Sequence, residues 1–195
     1  MSAYEELLRF SEPWKHLGNR TLDSGARFIG PPSEPGKYDY LVCIMSPLTN
    51  DEIDELENQL DVPLHADLKE FYRHANGFSC FSRWLNLYGL RKVFRSLDIE
   101  QMLDQPYDIV IENEDGPPLP QEGLLLISKY SDGSPVYLNF EGRCKAYSRD
   151  RKLLFEWANL CEWVSQELTR FEAYIDENAR CEISMENIPP PARVD

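Results

Sequence analysis

Two of the three histidines, His65 and His74, lie in one short stretch with Cys80 close behind. Histidine and cysteine are common zinc ligands, and they also serve as base and nucleophile in hydrolases. A zinc pair on one helix needs ligands about four residues apart, as in HExxH. His65 and His74 differ by about half a turn at roughly 100° per residue, so they point to opposite sides of a continuous helix. We therefore expect no metal site here.

Catalytic motifs elsewhere in the chain give no stronger signal. The sequence contains no GxSxG, no GxxxxGK[ST] and no GxGxxG pattern. A hydrolase that pairs a Cys or Asp with His16, His65 or His74 stays open as an alternative, because one sequence does not show which side chains meet in space. The favoured prediction is a protein without enzyme activity and without a cofactor.

The element before His65 is predicted to be a capped amphipathic helix. Thr49 and Glu52 have the spacing of a capping box. An apolar stripe with helical spacing follows from Ile53 to Leu60. The opposite face is acidic and is our first candidate partner-binding surface, although a merely solvated helix face explains the same pattern. Its candidate residues are Asp51, Asp54 and Glu55.

His65 and His74 flank a second predicted helix. Its apolar residues Leu68, Phe71, Tyr72 and Ala75 follow the i, i+3, i+4, i+7 pattern, so they share one buried face. Asn76-Gly77 is predicted to stop the helix, because glycine tolerates the left-handed conformation after a helix end. The stretch therefore has a structural explanation that requires no chemistry.

The rest of the chain alternates strands with short helices. We predict a strand from Cys80 to Leu90, a short helix around Leu97 and Met102, and an apolar strand from Tyr107. That strand is predicted to run into an acidic, proline-rich loop, whose Glu112, Glu114 and Asp115 are the second set of candidate partner-binding residues. Three strands and a closing amphipathic helix follow, and Trp157 and Trp163 are predicted core residues.

Composition limits the classes of partner. The chain has 195 residues, 42% of them hydrophobic, and a net charge of −14. Such a surface repels nucleic acid backbones and anionic membranes, so we expect neither as a partner. It suits a basic protein, because opposite charge speeds encounter. The plainer alternative is that many soluble bacterial proteins are simply acidic.

Cysteine use and apolar runs predict a cytoplasmic protein. The five cysteines are scattered and form no CxxC pair, which favours reduced thiols. The first ten residues lack the basic start and apolar core of a signal peptide. The longest plainly apolar run, LLLI, is far too short to cross a bilayer.

Three stretches, in order, resemble the Smi1/Knr4 family of the SUKH superfamily. The first is LTNDEIDELENQLDVPLHADLKEFYRHANG, the second is LLLISKYSDGSPVYLNF, and the third is EWANLCEWVSQEL. The resemblance covers roughly residues 38–175. The chain departs from the family at His65, where proline is frequent. Ser134-Pro135 also stands where the family has a more glycine-rich turn.

The resemblance implies a fold and a function. The fold would be α+β, with a central, mostly antiparallel sheet and helices packed against it. Many members are bacterial immunity proteins that bind and neutralise a cognate toxin by stoichiometric occlusion, and many such toxins are nucleases with basic clefts. Eukaryotic relatives are regulatory interaction modules, which is the alternative function. The family has no shared catalytic centre.

The predicted organisation has three parts. Residues 1–36 form an N-terminal extension that ends in the breaker segment GPPSEPG, residues 37–177 form the Smi1/Knr4-like domain, and residues 178–195 form a tail. The sequence leaves the oligomeric state open.

Overall fold

The fold of the described residues is built on two antiparallel sheets. The computed structural model describes residues 1–32, 40–81, 83–116, 123–180 and 191. The first sheet has the order β1-β2-β3-β4-β5 and the second β6-β7-β8-β9. The strands are β1 Asn19–Thr21, β2 Arg27–Pro32, β3 Tyr40–Ile44, β4 Phe78–Cys80, β5 Leu85–Leu87, β6 Leu124–Lys129, β7 Pro135–Asn139, β8 Cys144–Tyr147 and β9 Leu153–Trp157. The sheets meet where the Tyr88 N–H donates to the Ile127 C=O at 2.9 Å, just beyond β5.

Helices cover these sheets, and the prediction of an α+β fold is confirmed. They are α1 Ala3–Ser11, a 3₁₀ helix Glu12–Leu17, α2 Asn50–Leu60, α3 Ala66–His74, α4 Ile99–Leu103, α5 Ile109–Glu114 and α6 Leu160–Glu172. The predicted capping box at Thr49 and Glu52 is present, with both reciprocal hydrogen bonds. None of the helices in the described part of the chain is long and apolar enough to span a membrane.

The main core is one cluster of buried residues from both sheets and from the helices packed on them, with α6 at its centre of aromatic contacts. Trp163 of α6 faces Phe78 of β4 at 6.4 Å between ring centroids, and Phe171 stacks on Phe81 at 5.4 Å. Trp157 is also fully buried, so both tryptophans are core residues as predicted. Aromatic side chains of this size dominate the apolar surface that folding removes from water.

The N-terminal segment contributes to both the sheet and the helical layer. α1 packs against α6 and α3, and Leu7 of α1 is fully buried. β2 pairs antiparallel with β3, with Phe28 opposite Cys43. The predicted breaker segment, residues 30–36, lies partly outside the described residues, as does most of the predicted tail. The division into extension, domain and tail stays a prediction.

Two predicted strands are wrong. The strand predicted from Cys80 to Leu90 is a hairpin of β4 and β5, because the backbone turns at Phe81 and Arg83, both at positive φ. The apolar run predicted as a strand after Tyr107 is the helix α5. Asp108 starts that helix, since its side chain accepts hydrogen bonds from two N–H groups of the first turn.

Candidate partner-binding surface

The acidic face of α2 is exposed, as the apolar spacing predicts. Ile53 and Leu56 are buried on the opposite face. Asp51, Asp54 and Glu55 all point to solvent. The helix thus presents a row of carboxylates from a firmly packed element, and we keep these residues as candidate contacts.

The second acidic set lies on α5 and not on a loop. Glu114 is exposed, and exposed Asp115 caps the helix C-terminus. Glu112 is partly buried and pairs with Lys129 of β6 at 2.5 Å. The partner-binding role of all three residues stays a prediction. Its pairing makes Glu112 the least available of them to a partner.

The two acidic sets lie on neighbouring helices, since α2 packs against α5. A further contact joins α2 to the chain that leads to α5. Lys92 Nζ lies 2.6 Å from a carboxylate oxygen of Glu52. Partial burial raises the pKa of Glu52, but hydrogen bonds from Lys92 and Thr49 outweigh it, and the net effect lowers that pKa. Glu52 therefore stays ionised and holds Lys92 beside the N-terminus of α2.

Most of the negative charge is concentrated in these two parts of the chain. Residues 50–61 and 91–116 contain thirteen acidic and three basic residues, which gives −10 of the chain's net −14. α2 packs against α5, so the exposed carboxylates of these two helices lie on neighbouring elements. A concentrated field of one sign steers an oppositely charged partner more strongly than the same charge spread evenly.

Exposed apolar side chains accompany this charge, and sequence reasoning missed them. Eight large hydrophobic side chains are exposed in the described part of the chain, and five of them lie between β5 and β6. These five are Phe94, Leu97, Ile99, Tyr107 and Ile111. Their spacing fits neither a helix stripe nor strand alternation, so periodicity gave no signal for their exposure.

The histidines do not form a shared site. His65 is the N-cap of α3, where its Nδ1 accepts a hydrogen bond from the Asp67 N–H at 3.2 Å. His74 stacks on Tyr4 at 5.0 Å and lies 3.1 Å from a Glu70 carboxylate oxygen. His16 contacts the Pro13 carbonyl at 2.7 Å. Each imidazole thus has a local structural contact.

The cysteines near these histidines are shielded from solvent. Cys80 and Cys144 are fully buried, and burial raises the pKa of both thiols well above the usual range. A protonated, buried thiol is a poor nucleophile and a poor metal ligand. Across the described ranges, no group of three or more His, Cys, Asp or Glu side chains is placed to hold a metal ion.

Asn76 has a larger structural role than the predicted helix stop. Its side chain is buried and bridges to Leu90, donating to the Leu90 C=O at 2.7 Å and accepting from the Leu90 N–H at 2.8 Å. The helix ends one residue earlier, at the extended cap residue Ala75. Asn76 therefore fixes the point from which the chain enters the acidic and apolar segment after β5.

Comparison with known families gives one match. A model of the SMI1/KNR4 family (SUKH-1) matches residues 47–166, which is more than half of the chain. The match includes α2, α3, the whole of the 91–116 segment and the first half of α6. No curated protein and no solved structure matches the chain.

Proposed function

The chain belongs to the SMI1/KNR4 family (SUKH-1), and we propose that it is an immunity protein that neutralises a cognate bacterial toxin with a basic surface. The family is known for immunity proteins, and its domains are generally non-catalytic. The protein would therefore act by binding, one molecule to one toxin, in the cytoplasm where the toxin would do damage. None of the four described cysteines forms a disulfide, in keeping with that compartment.

One observation carries the proposal of a basic partner. Ten of the fourteen net negative charges fall in residues 50–61 and 91–116, and α2 of the first part packs against α5 of the second. Toxins that act on nucleic acid need basic, phosphate-binding clefts. An acidic inhibitor complements such a cleft and reaches it quickly, because electrostatic attraction raises association rates.

Occlusion is the mechanism that this surface supports. The α2 carboxylates project from a capped helix whose other face is buried, so the helix need not reorganise on binding. A rigid, charged surface loses little conformational entropy when it docks. The toxin's active site would be covered and not chemically altered.

Co-expression with the toxic product of the adjacent reading frame tests the proposal. We expect cells to survive with the wild-type chain and die without it. Asp54→Lys with Glu55→Lys should weaken protection, while Asp23→Lys with Glu177→Lys, which changes the net charge equally at other exposed sites, should not. Equal killing with and without the wild-type chain would refute the immunity role. Recovery of a housekeeping complex from the native host would favour a regulatory module instead.

A further inference from the structure

A short apolar ridge lies in the 91–116 segment, beside that segment's three basic residues, Arg91, Lys92 and Arg95. The ridge consists of Phe94, Leu97 and Ile99, which lie within six residues of one another. The Arg91 guanidinium lies over the Phe94 ring, 5.5 Å from its centroid. Phe94 is 56% exposed, Ile99 is 45% exposed and Leu97 is fully exposed. Three large apolar side chains so close together and so open to water are costly unless something covers them.

Local hydrogen bonds order the ridge. The Ser96 hydroxyl donates to Gln101 at 3.0 Å and accepts from the Asp98 N–H at 3.0 Å. Asp98 in turn caps α4 by accepting from the Glu100 N–H at 2.9 Å. Upstream, the N–H groups of Lys92 and Val93 both donate to the side chain of Gln105. The apolar side chains thus project from a segment that is already folded before a partner arrives.

The ridge lies beside the acidic helix α2. Lys92, two residues before Phe94, pairs with Glu52 in the first turn of α2. After the ridge, Asp104 accepts a hydrogen bond at 2.7 Å from the N–H of Ser46, shortly before α2 begins. Lys92 and Asp104 therefore hold the two flanks of the ridge near the start of α2, while Glu100, next to Ile99, pairs with Arg20 of β1.

We propose that this ridge is the apolar anchor of the interface, and that it inserts into an apolar pocket on a basic partner protein while the α2 carboxylates form the charged rim. The inference rests on the proposed function for the class of partner. Interfaces of this kind draw most of their binding energy from a few buried apolar or aromatic anchors, while rim charges mainly set the association rate.

Charge selects the occupant of this surface. A second copy of the chain would bring two acidic α2 faces together, which like-charge repulsion opposes. An anionic membrane is repelled in the same way. A protein with a basic surface around an apolar pocket complements both features, since its cations face the carboxylates and its pocket accepts the ridge.

A peptide selection tests the anchor without knowledge of the toxin. The probe is a library of random 15-residue peptides displayed on phage and selected against the full chain, with the enriched peptides synthesised for titration. We expect them to combine Lys or Arg with apolar residues. Leu97→Asp and Phe94→Ala should each weaken their binding at least tenfold. Phe140→Ala, at an exposed phenylalanine outside the ridge, should leave it unchanged.

The outcomes separate this inference from the proposed function. Peptides that bind both ridge variants as tightly as the wild type would overturn the anchor, as would a selection that yields no binder. Ridge variants that protect cells as well as the wild type does would overturn the anchor and leave the immunity role standing. Ridge-dependent peptide binding without any protection by the wild type would refute the immunity role and leave the anchor supported. All three substituted side chains are exposed, so circular dichroism should show each variant folded.

Discussion

Replacement of Asn76 by alanine should destabilise the protein strongly, although Asn76 touches neither acidic set. The substitution removes both side-chain hydrogen bonds to Leu90 and leaves a backbone N–H and C=O without partners. Leu90 is only 8% exposed, so water replaces those bonds poorly. Each unsatisfied buried group costs about 1–3 kcal/mol, so the two groups together cost about 2–6 kcal/mol. Because Leu90 is not completely closed to water, we expect a loss in the lower part of that range, about 2–4 kcal/mol.

Thermal and urea unfolding measure this effect. For a chain of this size, about 2–4 °C of Tm is lost per kcal/mol, so Asn76→Ala should melt roughly 4–16 °C lower. Asn76→Asp keeps the volume but places an acceptor against the Leu90 C=O, and it should not rescue stability. The matched control is Asn58→Ala, at an exposed asparagine of α2, which should change the stability by less than about 0.5 kcal/mol. If the free energy of unfolding of Asn76→Ala lies within about 0.5 kcal/mol of the wild-type value, the bridging role is refuted.

Three further predictions concern single contacts. His65→Ala should lose about 0.5–2 kcal/mol of stability in urea unfolding because it removes the α3 N-cap, and His65→Asn should restore most of it; equal loss in both would contradict the capping role. Partial burial raises the pKa of Glu57, but bonds from Lys69 and the Leu64 N–H outweigh it and lower that pKa below 4.5. The ionised form therefore stabilises the fold above pH 4.5 and loses this effect as pH falls further, so Glu57→Gln should destabilise at pH 7 and much less near pH 3; a pH-independent difference would contradict this. Thiol labelling of the native protein followed by mass spectrometry should modify partly exposed Cys161 well before buried Cys80, and simultaneous labelling would contradict the burial.

The elements with clear periodicity were predictable from the sequence. The cap residue and the apolar stripe of α2 are both present. The Thr-x-x-Glu spacing of a capping box and the i, i+3 spacing of apolar residues indicate the same helix. The same logic correctly assigned the packing face of α3 and the core role of Trp163. The family match then confirmed the resemblance that these motifs suggested.

The segment between β5 and β6 was not predictable in the same way. Its helices α4 and α5 have five and six residues, too short for an apolar stripe to establish a period. The run after Tyr107 has the β-branched composition of a strand, but it forms a helix whose first turn is capped by Asp108. Exposure of Leu97 depends on tertiary packing, which no local pattern encodes.

His65 shows how a departure from the family pattern is accommodated. The residue lies at the N-cap of α3, outside the first turn where proline is favoured. Its ring nitrogen accepts a hydrogen bond from the Asp67 N–H, which a proline at this position would leave to water. Histidine therefore starts the helix with a side-chain cap, where proline would start it through its fixed backbone angle. A titratable residue here therefore has a structural explanation, and its presence alone gives no evidence of catalysis.

The central claim is stoichiometric neutralisation of a basic partner, and titration of toxin activity tests it most directly. The purified toxic product of the adjacent reading frame is assayed with increasing amounts of this chain, at low and high salt. We predict that activity falls linearly to zero at one molecule per toxin, and that binding weakens as salt screens the α2 carboxylates. Inhibition at far lower ratios, which requires turnover, would contradict the account, and so would full activity at a large excess of the chain.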